Sequence, residues 1–122
     1  MLNDPPLFCL WYEFVKWALN CTERFPKHKR FSIALKIENL GLDILQDIIQ
    51  AQYKNKSKKK EHLENITTNL NVLQVLFRIS MDQRYMSKQA YEFASLKIQE
   101  AGKMAYNWLK FIQHENVEPS LF

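Results

Sequence analysis

Glycine and proline are scarce, with two and four copies in 122 residues, too few turn formers for a fold of many strands and hairpins. Gly41 and Gly102 each stand alone within apolar-periodic stretches, so no glycine-rich loop is present to cradle phosphate. Cysteine is scarce too. Cys9 and Cys21 fall on one expected helix about 18 Å apart, too far to bridge, and read as buried thiols of a reducing compartment. The three histidines, His28, His62 and His114, lie in separate regions, and the acids nearest in sequence to His62, Glu61 and Glu64, suit the exposed first turn of a helix. No metal site or other cofactor is therefore expected. Neither a serine elbow nor a pair of acids facing a cleft is found, so no catalytic residue is assigned and an enzyme is not expected. Long hydrophobic runs are also missing: Glu13 and Lys16 interrupt the stretch from Leu7 to Leu19, which falls short of the roughly 20 residues of a membrane span. A cytoplasmic protein without membrane attachment is the expectation.

What the sequence does contain is helical periodicity. Asp4 before Pro5 and Pro6 reads as an N-cap with proline in the first turn. Leu7, Trp11, Phe14, Ala18, Cys21 and Phe25 then alternate in steps of four and three until Pro26, which places a helix over about 5–24. A second helix over about 30–53 carries Ile33, Ile37, Leu40, Ile44 and Ile48 on one face, with Leu42, Leu45 and Ile49 widening it and Gly41 marking a close approach by a neighbour. A third over about 59–83 uses Leu63, Ile66, Leu70, Leu73 and Phe77, broadened by Leu76 and Ile79. Ser87 caps a fourth over about 87–113, seamed by Tyr91, Ala94, Ile98, Ala101, Ala105, Trp108 and Ile112, with a short C-terminal tail beyond. Helices of this length with short connections pack most simply as one all-α domain, an up-down-up-down four-helix bundle. The first helix has apolar residues to spare, and its Tyr12 and Trp17 are the candidate subunit contacts unless they merely thicken a small core.

The formal charge of +4 is unevenly distributed. Nine of the 17 basic residues occupy two acid-free stretches: Arg24, Lys27, Lys29 and Arg30 in one, and Lys54, Lys56, Lys58, Lys59 and Lys60 in the other. Eight bases face 13 acids elsewhere. Both stretches fall in expected connections at opposite ends of the second helix, about 34 Å apart, which makes two basic poles on a bundle with acidic flanks. Arg78 should fall toward the first pole and Lys103 toward the second. A lysine-rich connection can equally be a solvated loop. Arg24, Phe25, Arg30 and Phe31, however, mix guanidinium groups with rings, a combination suited to phosphate contact and base stacking, although both rings also suit helix-end core positions.

Several stretches, in order, carry a resemblance: Arg24-Phe25-Pro26-Lys27 with Arg30-Phe31, Lys36-Ile37-Glu38-Asn39, and Leu42 to Tyr53. Asn69-Leu70, Leu76-Phe77-Arg78, Tyr91-Glu92, and Ala101-Gly102-Lys103-Met104 before Trp108 follow. Over about residues 10–112 the chain resembles the accessory variability determinant (Avd) proteins of diversity-generating retroelements. The resemblance implies a homopentameric barrel of four-helix protomers, without catalytic activity, that binds a reverse transcriptase and nucleic acid, either template RNA or an RNA–DNA hybrid, during retrohoming. The sequence departs from the family's pattern at Lys103 and Gln74, where arginine is usual, and at Ala105-Tyr106-Asn107, where the family is richer in glycine. Lysine and glutamine cannot supply arginine's planar two-pronged contact. The alternatives are the related ribosomal-RNA intervening-sequence type of bundle protein and a scaffold that binds only protein.

Overall fold

The structure, a computed structural model, describes residues 4–114; the tail expected beyond the fourth helix lies outside that range. Four long helices are present and no strand occurs among the described residues. Helix α1 spans Pro6–Glu23, and its N-cap is Pro5 rather than Asp4. Proline at the first helical position has no N–H to cap, and the first bond runs from the Cys9 N–H to the Pro5 carbonyl at 3.1 Å. At the other end the Phe25 N–H closes onto the Thr22 carbonyl at 3.0 Å, just before Pro26.

The chain then makes a 3-10 turn over Lys27–Lys29 and a π turn over Arg30–Ala34 before helix α2, Leu35–Tyr53. The second helix expected from residue 30 thus opens with a wider turn. Only Lys54 and Asn55 separate it from helix α3, Lys56–Asp82. This start is three residues earlier than expected, because the Asn55 side chain accepts the Lys58 N–H at 3.1 Å as an N-cap. The lysine run therefore forms the first turns of a helix, not a connection. Helix α3 ends in a Schellman closure, with Tyr85 N–H on the Ser80 carbonyl at 2.8 Å and Arg84 left-handed at φ 64°. Helix α4, Lys88–His114, is capped as expected: Ser87 Oγ accepts the Ala90 N–H at 3.0 Å.

Each helix packs antiparallel against the next, and α4 closes the bundle against α1 along a narrower seam. The core holds the expected seam residues of α3 and, apart from half-buried Tyr91, those of α4. Other expected core positions fail. Leu42 and Ile49 do not widen the core face of α2, nor does Ile79 that of α3; all three face solvent. Cys21 is half-buried, as is Cys9, while Val15 and Thr22 take interior places on α1. Gly41 is buried beside α1 and its carbonyl accepts the Trp11 indole N–H at 2.9 Å, yet a Cβ there would meet Val15 Cγ2 at an ordinary 3.8 Å. The neighbouring helix is near but does not require glycine.

Candidate nucleic-acid and partner interface

The first basic pole is assembled around Tyr85, which the sequence did not single out. The Phe25 ring, 5% exposed, packs 5.8 Å from the Tyr85 ring and anchors the connection to the start of α4. Lys29 Nζ sits over the opposite partner of that contact, 5.9 Å from the Tyr85 centroid. Arg24 and Tyr85 line one groove of about 450 Å³ between the end of α1 and the start of α4, together with Trp17, Cys21 and Ser87. Lys27 and Arg30 are exposed nearby in sequence. The two rings left open by the sequence now separate: Phe25 belongs to the core, whereas Phe31 is 85% exposed on the π turn, next to Arg30.

The second pole is the junction of α2 and α3. Tyr53, the last residue of α2, is 79% exposed beside Lys54, and Lys56, Lys58, Lys59 and Lys60 follow on the opening turns of α3. Helix α3 has no acid in its first turn, so these cations add to the positive end of the helix dipole. Lys58 meets Glu61 at 3.6 Å, an exposed pair of little strength. Among the described residues, Lys27, Arg30, Lys54, Lys59 and Lys60 have no carboxylate within salt-bridge distance. The signal for Phe31 and Tyr53 was legible as a ring next to a base at each end of one helix. Burial alone could assign them to solvent.

The remaining candidates lie within the long helices. Arg78 lines a different groove, between α3 and α4, with Gln74, Tyr91 and Gly102 among its neighbours. There Gln74 Nε2 donates to Tyr91 Oη at 2.9 Å, so this departure from the family's arginine ties two helices of the protomer together. Counting twelve residues onward from Tyr91 and twelve back from Gln74 puts Lys103, exposed on α4, level with His62 of α3 and near the second pole. Trp17 is half-buried, with its ring 4.8 Å from Phe93 of α4 and 5.5 Å from Phe14. Tyr12 is half-buried against Phe8 at 5.8 Å, with Lys16 Nζ over its ring. An apolar groove of about 330 Å³, lined by Cys9, Leu10, Phe14 and Phe93, runs along the same α1–α4 seam.

Histidine chemistry is structural where it is visible. His62 Nδ1 lies 2.8 Å from Asp47 Oδ1, joining α3 to α2, a contact hidden from sequence by a separation of fifteen positions. Among the described residues no three His, Cys, Asp or Glu side chains gather to hold a metal ion. No helix among the described residues is long and apolar enough to cross a membrane. Burial pushes the Cys21 thiol above its ordinary pKa, opposed in part by the Arg24 charge, which favours the protonated thiol over the thiolate. The arrangement can bind anions and rings. A family profile described as bAvd-like matches residues 10–112. Comparison with curated proteins gives no match.

Proposed function

Because this chain belongs to the bAvd-like family, we propose that it is a non-catalytic accessory protein that binds the reverse transcriptase of a diversity-generating retroelement together with template RNA or an RNA–DNA hybrid. The observation that carries this reading is the placing of cations at both ends of α2, each cluster beside a ring turned to solvent, Phe31 and Tyr53. Nucleic-acid backbones are held by cations, of which Lys27, Arg30, Lys54, Lys59 and Lys60 have no carboxylate within salt-bridge distance among the described residues, and exposed rings supply stacking surfaces indifferent to sequence. Arg24, Lys27, Lys29 and Arg30 form the first contact set, and Lys54, Lys56, Lys58, Lys59 and Lys60 the second. Arg78 and Lys103 extend the contacts onto α3 and α4. The reverse transcriptase performs the chemistry; this protein contributes position.

Assembly into a homopentamer belongs to the same proposal. Fivefold repetition turns each pole into a ring of cations, and helix α1 offers the subunit contact, with half-buried Tyr12 on one side and Trp17 at the seam with α4, next to an open apolar groove. The test is retention of single-stranded RNA across a salt series by the parent chain and by a variant with Lys54, Lys56, Lys58, Lys59 and Lys60 changed to Gln. The logarithm of affinity should fall with the logarithm of salt, and the slope should become shallower by about 0.7 for each phosphate contact removed. Binding indifferent to salt, or equally tight in the glutamine variant, refutes the proposal and leaves a protein-only scaffold.

A further inference from the structure

All five large apolar residues that the 31–53 segment exposes lie on one line: Phe31 at 85%, Leu35 at 40%, Leu42 at 46%, Ile49 at 40% and Tyr53 at 79% exposed. Their steps are four, seven, seven and four residues. At 3.6 residues per turn, Leu35, Leu42 and Ile49 stay in one row, on the opposite side of the helix from Ile37, Ile44 and Ile48 in the core. The row therefore has no task within the protomer. Scattered exposed leucines need no explanation, but a heptad row some 33 Å long is the seam that a second helix uses.

We propose that the outer face of α2 docks an amphipathic helix of a partner protein, one with apolar residues at heptad spacing and acidic residues at both ends. The demand for acid comes from the flanks of the row. Beyond Phe31 lies the cluster 24–30, and beyond Tyr53 the cluster 54–60, nine bases with no acid among them. Between the ends the exposed flank is nearly neutral, with Lys36 and Asp43 among Asn39 and Gln46. Charge complementarity thus selects a partner that is acidic at its tips and indifferent in its middle.

The same charges disfavour a second copy of this chain. The row is symmetric about Leu42, with Leu35 and Ile49 seven residues to either side and Phe31 and Tyr53 eleven, so an antiparallel copy would match apolar residues to apolar residues. It would also set 24–30 of one chain against 54–60 of the other. A parallel copy would set each cluster against itself. Like charges meet in either direction, whereas an acid-tipped helix satisfies both the seam and its ends.

This inference rests on the reading of the chain as an assembly factor, and its test is separable from the nucleic-acid test. A display library of helices of about 28 residues, with leucine at heptad positions and randomised terminal turns, is selected against the full chain. Selected helices should be enriched in Asp and Glu at both ends. They should bind at least about tenfold more weakly to Leu42→Ser/Ile49→Ser and also to Phe31→Ala/Tyr53→Ala, an energy step of one RT ln 10. Because the leucine and isoleucine point away from the core, the first variant keeps its helical content, and its RNA retention should equal that of the parent. No enrichment over the starting library, no acidic bias, or undiminished binding to both variants overturns the proposal. Self-association of the free chain that disappears in the first variant assigns the row to a second copy and overturns it as well. Loss of RNA retention in that variant makes the row a nucleic-acid surface, again against the proposal; loss confined to the lysine-to-glutamine variant leaves the two readings to stand or fall apart.

Discussion

At Gly41 the nearest atom to an added Cβ would be Val15 Cγ2 at 3.8 Å, and the residue is helical, so Gly41→Ala should stabilise the protein by about 0.4–1 kcal/mol through a less flexible unfolded chain. A urea midpoint that falls on this substitution would show that the α1–α2 contact is tighter than that distance. Arg84 presents the reverse case: its φ of 64° is the left-handed conformation that glycine adopts without strain. Arg84→Gly should raise stability by up to about 1 kcal/mol, since the relief of Cβ strain is only partly offset by the entropy of a freer unfolded chain. Thermal unfolding of the two proteins decides it. Cys21 links burial to pH. Its folded-state pKa is raised by burial, so the folded state holds the thiol proton more firmly than the unfolded chain does. The resulting stabilisation is complete below the unfolded thiol pKa, about 8.5, and is lost as pH rises through the folded value. The fall in urea midpoint from pH 8 to pH 10 should therefore be smaller in Cys21→Ser than in the parent; equal falls refute this.

Among the elements, α3 is the one with an internal conflict. Its opening turns carry four lysines and no acid in the first turn, against the usual preference for negative charge at a helix N-terminus. The Asn55 cap and the packing of Leu63 and Ile66 hold the helix in spite of this. Ser57→Glu should stabilise the chain by about 0.3–1 kcal/mol at low ionic strength, with the gain shrinking in high salt, and should weaken RNA retention. Unfolding midpoints at low and high salt, paired with a retention assay, check both halves. A variant that gains stability and keeps full retention would remove the second pole from the nucleic-acid surface. The element scale is also where the sequence misleads: a run of lysines looks like a connection, and only the hydrogen bond from Lys58 N–H to Asn55 identifies the first turn of a helix.

For the molecule as a whole, the α1–α4 seam is narrower than the α1–α2, α2–α3 and α3–α4 seams and has grooves on both sides of the Trp17–Phe93 contact. If helix α1 supplies the subunit contact, native mass spectrometry should find five copies of the 14.6 kDa chain. Tyr12→Glu should then reduce the mass to that of one chain with unchanged circular dichroism, because Tyr12 stacks only on Phe8 of its own helix. A parent protein that runs as a monomer at micromolar concentration removes the proposed ring. Trp17 is a poorer probe, since it also packs on Phe14 and Phe77 inside the protomer.

Much of this architecture is local and was legible in the residues alone. The three-four spacing of Leu63 to Phe77 and of Ala94 to Ile112, the stop at Pro26 and the cap at Ser87 depend on neighbours within a turn or two, so helix number, order and most core positions follow directly from the chain. So does the separation of the two basic clusters, which helix length sets. Tertiary structure alone decided which apolar residues remain outside. Phe25 and Phe31 have the same chemistry and sit six residues apart, yet one packs on Tyr85 and the other faces water. Leu42 and Ile49 look like core until the bundle fills with Ile37, Leu40, Ile44 and Ile48 and leaves them no interior to enter. The physical reason is that periodicity marks the apolar directions of a helix, but only the finite volume between four packed helices determines which of those directions is already occupied.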